Sequence, residues 1–219
     1  VPNAKAKAEL VSCIKSLKNC QISFGLKATD LVSQIDKVFL KLSNNKFVSA
    51  KLVIAADGAQ SSLRELAGIK TYTAKSNQYA LACIVAHDKP HQGTSVELLK
   101  AGGPCTLVPM KSLRDFKHRS AVVWMETRSN VAKLNSLSDT DFSSAVSKRT
   151  NYVFGKCAVT SKRSIYPVNM QIAHKFYSHR MVLIAEAAHV MPPIGAQGLN
   201  TSLEDIIVLR DLLIEASAN

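Results

Sequence analysis

The chain lacks the short patterns that would make it a metal, disulfide or membrane-spanning protein. Its cysteines, Cys13, Cys20, Cys83, Cys105 and Cys157, are odd in number and form no Cys-x-x-Cys. Neither a disulfide framework nor a zinc ribbon is indicated. Most of them stand in apolar runs, which predicts buried, reduced thiols in a cytosolic protein. No signal peptide opens the sequence, and the longest apolar stretch, 79–86, is far short of the ~20 residues that cross a bilayer. Aromatic residues make up only 6% of the chain, and no basic run interleaves with them. A single-strand nucleic-acid surface is thereby excluded, and no nucleic-acid partner is expected. The first residue is Val rather than Met, so the natural translation start is expected upstream.

What is present is an ordinary globular composition. The 219 residues are 47% hydrophobic and 20% charged, enough for a sizeable core in one or two domains. The net charge is +12. Lysines are scattered rather than clustered, so the charge reads either as a solvated basic face or as attraction to an anionic cofactor, nucleic acid or lipid.

The hydrophobic period divides the chain into three parts. A helical pattern covers residues 4–17, with Leu10, Ile14 and Leu17 on one face. Alternation then takes over at Ile22, Phe24 and Leu26, and at Val38, Leu40 and Leu42, with a hairpin turn at Asn44-Asn45. The run Leu52-Val53-Ile54-Ala55-Ala56 does not alternate, as for a strand covered on both faces. A short helix over 61–67 follows, with Gly68 placed to end it in a left-handed cap. From 70 to about 125 the pattern is strands again (79–86, 94–99, 105–110, 121–125), an antiparallel sheet of its own. Ser138 and Asp139 cap a helix running towards Tyr152, and Ile165-Tyr166-Pro167 is extended. A second buried strand spans 181–185, and a helix over 198–215 carries Leu199, Leu203, Ile206 and Leu213 on one stripe.

Two constellations carry chemistry. In Ala56-Asp57-Gly58-Ala59-Gln60-Ser61-Ser62-Leu63-Arg64, Gly58 permits a turn too tight for a side chain. Asp57, at a strand's C-terminal end, can accept a hydrogen bond from a ribose or a backbone N–H. Ser61 can cap the next helix, and Arg64 can reach a phosphate or the Asp57 carboxylate. The plainer alternative is an Asp-Gly turn with a surface Arg. The second constellation runs from Leu183 to Asn200: an apolar run stops at Glu186, a Pro/Gly stretch follows, and a helix begins. Ligands bind at such strand ends in α/β proteins, and helix N–H groups attract anions. Glu186 suits ribose hydroxyls. Ala187 and Ala188 allow close approach to the backbone, Pro192 and Pro193 stiffen the loop, and Gly195 and Gly198 open space around Gln197. The N–H groups of positions 198–200 can stabilise a pyrophosphate or negative charge on a reduced ring.

Asp57-Gly-x-x-Ser61-x-x-Arg64 resembles the Asp-Gly motif of the flavin-dependent aromatic hydroxylases. Glu186-Ala-Ala-His189-x-x-x-Pro193-x-x-Ala196-Gln197-Gly198-x-Asn200 resembles their Gly-Asp motif. Gln78-x-Ala80, His87 with Pro90-His91, Gly103-Pro104, Val108-Pro109-Met110 and Val122-Val123-Trp124 are similar to the ubiquinone-biosynthesis branch. The resemblance covers nearly the whole chain. It implies an α/β (α+β) fold: an incomplete FAD/NAD(P)-binding doubly wound domain with an inserted antiparallel-sheet substrate domain. Residues 1–69 and 166–219 would belong to the FAD-binding domain and 70–165 to the substrate domain.

The resemblance further implies FAD as cofactor and NAD(P)H as co-substrate, with one atom of O₂ delivered to a phenolic or prenylated quinone precursor. The flavin carries the hard chemistry, while the protein positions, dries and polarises. The cofactor-binding residues it implies are Asp57, Gly58, Ser61, Arg64, Glu186, Ala188, His189, Pro193, Gly195, Gln197, Gly198, Leu199 and Asn200. No side-chain acid or base and no metal ligand is assigned. A cytoplasmic protein is implied, with attachment to the periphery of the inner membrane or to a biosynthetic complex left open.

The chain departs from the family in three places. Ala185-Glu186 replaces the usual Gly-Asp, Ala196 replaces a Gly, and no Gly-x-Gly-x-x-Gly opens the sequence. About the first quarter of such an enzyme, and a portion after Asn219, are expected to lie outside this chain. A non-catalytic remnant or interaction subunit is therefore the alternative, and a halogenase or geranylgeranyl-type reductase a third class. His87 and His91, four apart, invite a metal reading but have no evident third ligand. Ser61 and Ser62 have no His/Asp pair nearby, so hydrolase chemistry is not expected.

Overall fold

Turn residues cut the chain into short elements, and the ladders between them decide which apolar runs become strands. The computed structural model describes residues 3–193 and 197–218. In chain order the elements are α1 (Asn3–Ser16), β1 (Ala28–Ser33), β2 (Val38–Leu42), β3 (Phe47–Ala50), β4 (Val53–Ala55), α2 (Ser62–Leu66), β5 (Thr71–His87), β6 (Val96–Lys100), β7 (Gly103–Met110), β8 (Arg119–Thr127), α3 (Arg128–Ser136), α4 (Asp139–Arg149), β9 (Cys157–Val159), β10 (Ser164–Ala173), β11 (Tyr177–Ser178), β12 (Met181–Leu183), β13 (His189–Val190) and α5 (Gln197–Ala218). A 3-10 turn at Ala185–Ala187 separates β12 from β13. The fold is mixed α/β with antiparallel sheets.

Two compact units are present, one made of residues up to 74 together with those from 170 onward, the other of residues 75–169. The chain passes between them within β5 and β10, and the sequence-based boundaries at 69/70 and 165/166 fall beside or inside those two strands.

In the first unit, β1, β2 and β3 form an antiparallel sheet. Its β2–β3 turn places Asn45 at φ 61°, where Asn is tolerated. A second sheet has the order β11-β12-β4, with β4 and β12 parallel in the register Val53↔Met181, Ile54↔Val182 and Ala55↔Leu183. Val38, Val53, Ala55, Leu63, Met181 and Leu183 form its core. The expectation of a strand covered on both faces does not hold for the described residues: Val53 and Ala55 point inward, while Ile54 is 46% exposed. Likewise the stripe Leu199, Leu203, Ile206 and Leu213 on α5 is exposed, and no residue of that helix is buried. The alternation at Ile22, Phe24 and Leu26 does not make a strand. Residues 21–27 are irregular, with Gly25 at φ 72°, and the ladder starts only at Ala28. Alternating side chains without a partner to accept the backbone hydrogen bonds are not enough.

In the second unit the strands run β10-β5-β8-β7-β6, with β9 also pairing with β5. All pairings among β5 to β9 are antiparallel. Leu81, Val85, Cys105, Leu107 and Val122 meet Val131 from α3 and Phe142 and Val146 from α4 in one core. Ser138 caps α4, its Oγ accepting from the Asp141 N–H at 3.1 Å. The helix ends at Arg149, and Asn151 and Tyr152 turn in the left-handed region. Helix α3 has no counterpart in the sequence reading, because only Val131 is buried along it.

The buried-thiol expectation holds for three cysteines. Cys83, Cys105 and Cys157 are buried and free, whereas Cys13 and Cys20 are free and exposed. His87 and His91 serve structural roles: the His87 ring lies 5.0 Å from Phe154, and its Nδ1 and Nε2 engage the Lys89 carbonyl and Ser120 Oγ. No cluster of three metal-ligating side chains occurs among the described residues.

Candidate functional site

The parallel pairing of β4 with β12 sets two strand tips side by side. The ladder continues past the strands, with the Ile184 N–H donating to the Ala55 carbonyl at 3.0 Å. Asp57 stands two residues beyond one tip and Glu186 three beyond the other. Neighbouring C-terminal ends of parallel strands are where open α/β sheets bind ligands.

The first loop is organised around the Asp57 carboxylate. It accepts from the Ser61 hydroxyl, from the Ser62 hydroxyl at 3.3 Å and from the Leu63 N–H at 3.1 Å. Burial alone would raise this carboxyl, but the hydrogen bonds from Ser61, Leu63 and Ser62 outweigh it and hold the pKa below the ordinary Asp value. Ser61 also caps α2, its Oγ accepting from the Arg64 N–H at 3.0 Å. Gly58 sits at φ 86° with open space where a Cβ would stand, and Gly68 ends α2 at φ 68°. Gly58 is required by its backbone conformation, and the space beside it is free to a ligand.

Arg64 is 5% exposed and does not turn to Asp57. Its guanidinium donates to the Ala59 carbonyl at 3.0 Å and, across 123 positions, to the Ala187 carbonyl at 2.9 Å. The side chain read from the sequence as a phosphate or carboxylate partner is thus a clamp between the two loops. Gln171 of β10 adds a second tie, its Nε2 donating to the same Ala59 carbonyl at 3.0 Å.

The second loop opens on Ala185 at φ 54°. A residue with a Cβ is strained there by about 1–2 kcal/mol, which is the physical reason for the glycine the related pattern carries. The Ala185 N–H donates to Asp205 Oδ2 at 2.7 Å, and the same oxygen meets His189 Nε2 at 2.7 Å. Asp205 thereby fastens α5 to the turn, and His189, held by it, is a loop hydrogen-bonder. Ala187 and Ala188 are buried, while Glu186 points outward and makes no side-chain hydrogen bond among the described residues. Pro193 is exposed ahead of α5. Gln197, Gly198, Leu199 and Asn200 form the first turn of α5, with open space at Gly198. Gly195, and Ala196 beside it, lie outside the described residues.

These groups fit a dinucleotide bearing hydroxyls and negative charge. An outward carboxylate is available at Glu186 for a ribose or ribityl hydroxyl, a glycine leaves room at position 58, and the N–H groups that open α5 have no acceptor within the helix. Sequence reasoning reached the contiguous residues of both loops. It missed Asp205 and Gln171, for which no local signal exists: each is one of several polar residues on its element, and its partner is distant in the chain.

Residues 10–218 match the model of the FAD binding domain family. The ubiquinone hydroxylase UbiL of Rhodospirillum rubrum is 34% identical over 190 residues, covering 87% of this chain and 43% of that protein. The 3-demethoxyubiquinol 3-hydroxylase of Escherichia coli is 26% identical over 81% of this chain and 44% of its own length. Among solved structures, PqsL of Pseudomonas aeruginosa, described as a probable FAD-dependent monooxygenase, superposes with a TM-score of 0.79 at 17% identity, over 98% of this chain and 60% of that one. The chain belongs to the FAD binding domain family. It spans less than half the length of the two curated relatives named here. No helix among the described residues is long and apolar enough to cross a membrane.

Proposed function

We propose that the chain is a segment of an FAD-dependent monooxygenase that hydroxylates a phenolic, polyprenylated ring in ubiquinone biosynthesis, with NAD(P)H and O₂ as co-substrates. The observation that carries this reading is the parallel β4–β12 pair, with its two loops locked together by Arg64. The names of the curated relatives support the substrate class. A substrate of that kind also suits a protein at the periphery of a membrane or within a biosynthetic complex.

Flavin, when bound, would supply the activation of O₂. The chain's own residues bind and orient. Glu186 accepts a sugar or ribityl hydroxyl, Gly58 admits the cofactor beside the first loop, and the N–H groups opening α5 oppose negative charge on phosphate or ring. Pro193, Gln197, Leu199 and Asn200 shape the entrance to that helix, and Ala188 keeps the turn narrow. Asp57, Ser61, Arg64, His189 and Asp205 act as positioning residues, because their polar atoms are engaged by the loops themselves.

The test is oxygen-dependent NAD(P)H oxidation by the complete protein, with mass-spectrometric detection of the substrate gaining one oxygen. Stoichiometric flavin with an unaltered ring would overturn the reaction. A halogenated or reduced product would place the protein in another flavoenzyme class.

A further inference from the structure

A second concavity of the first unit lies on residues 67–70 and 174–180 and measures about 800 Å³. None of the flavin-motif residues lines it. Lys70, Lys175 and Arg180 bring three formal positive charges to its wall, His174 and His179 add two imidazoles, and no carboxylate is among the lining residues.

Several of these groups are held in place. The His174 N–H donates to the Lys70 carbonyl at 2.9 Å, which sets the Lys70 and His174-Lys175 segments against each other. The His174 ring stacks on Tyr72 at 3.8 Å with planes 15° apart. Arg180 donates from its guanidinium to the Ile35 carbonyl and, at 2.9 Å, to the Lys51 carbonyl, and His179 Nε2 engages the Gln34 carbonyl at 2.9 Å. Arg180 is also one of the few residues other than glycine at positive φ, 56°.

A cation cluster in a concavity, with no acid to balance it, repels itself and focuses the local field. Solvated lysines on a convex face do neither. The cost is recovered when an anion enters, and phosphate oxygens, with several acceptors and up to two charges, match lysine ammoniums and imidazole N–H groups best. Tyr177, 71% exposed and among the lining residues, offers an apolar body with a polar tip beside the cations.

We infer that the cleft lined by Lys70, His174, Lys175, His179 and Arg180 binds a phosphate-bearing anion, presented by a lipid headgroup or by a soluble phosphate ester. This assignment is independent of the flavin reading, since no residue is shared.

The experiment uses the complete protein with two probes. Inorganic pyrophosphate is titrated by calorimetry and by the shift in melting temperature. Co-sedimentation is measured with phosphatidylcholine vesicles containing one-third phosphatidylglycerol, and with pure phosphatidylcholine. The variant is K70E/K175E, and K5E/K7E on exposed helix α1 is the control with the same change in net charge. K70E/K175E is expected to weaken binding at least about tenfold and the control less than about twofold, with wild-type binding falling as salt rises. Vesicle binding without pyrophosphate binding identifies a headgroup, and pyrophosphate binding without vesicle binding a soluble phosphate. Binding of neither probe, or equal weakening by the two double variants, overturns the proposal.

Discussion

The Arg64 guanidinium donates to the Ala187 carbonyl at 2.9 Å and so joins two loops that the chain separates by 123 positions. The clamp is buried, and it explains why an arginine rather than a lysine stands one turn into α2. The guanidinium places two separate nitrogens, Nη1 on the Ala187 carbonyl and Nη2 on the Ala59 carbonyl, a span that a single ammonium nitrogen does not reproduce. Arg64→Lys is expected to lower stability by about 2–3 kcal/mol, because a buried carbonyl loses its donor. Urea unfolding measures this, with exposed Glu65→Ala as the control. A loss under 0.5 kcal/mol, the range of ordinary surface changes, would refute the clamp.

Ala185→Gly is expected to stabilise the chain. Glycine relieves about 1–2 kcal/mol of left-handed strain and adds back roughly 0.4–1 kcal/mol of unfolded-state entropy. The net gain is about 0.5–1 kcal/mol. It should appear as a higher urea midpoint at unchanged slope.

The depressed Asp57 carboxyl makes the first loop acid-sensitive. Its folded pKa lies below the unfolded one, so its stabilising contribution is fully present above the unfolded value, near 4. That contribution is lost as pH falls through the folded value. Asp57→Asn should therefore destabilise most at neutral pH and least in acid, and Ser61→Ala should raise the Asp57 pKa. Carboxyl-carbon NMR titration reads the second effect. An Asp57→Asn penalty that stays constant down to acid pH would contradict the sign.

Asp205→Ala removes one oxygen that serves both the Ala185 N–H and His189. The turn carrying Glu186 then loses its tie to α5. In the complete protein, flavin affinity is expected to fall about tenfold, the equivalent of one charge-assisted hydrogen bond. Fluorescence titration of flavin checks this. Glu204→Ala, one position away and exposed, should change it little.

Thiol reactivity should split the cysteines in two groups. Burial pushes Cys83 and Cys105 up to about 12, and it raises Cys157 as well. Cys13 and Cys20 are exposed. At pH 8 an aromatic disulfide reagent should titrate two thiols in the native chain and the other three only after denaturant is added.

Where the residues of a feature are contiguous, the sequence displays it. The Asp57 loop is one such case: acid, glycine, capping serine and arginine occur within eight positions. The Asn45 turn and the Ser138 cap are others, because each follows from one side chain's local chemistry. Distant pairing is not displayed. The role of Arg64 depends on Ala187, that of Asp205 on Ala185, and that of Gln171 on Ala59, and no periodicity encodes these meetings. Alternation misled at Ile22, Phe24 and Leu26, since an extended loop alternates as a strand does and only a ladder partner distinguishes them. Helix α3 escaped notice because a single inward residue, Val131, makes no stripe.

Strand β4 ends its sheet among the described residues, with Ile54 outward and α5 presenting leucines and isoleucines over its length. A bare row of peptide groups beside such oily side chains is a template for adhesion to any other extended polypeptide. Among the described residues this margin is where another extended segment would add, and a charged residue at position 54 is expected to disfavour that addition.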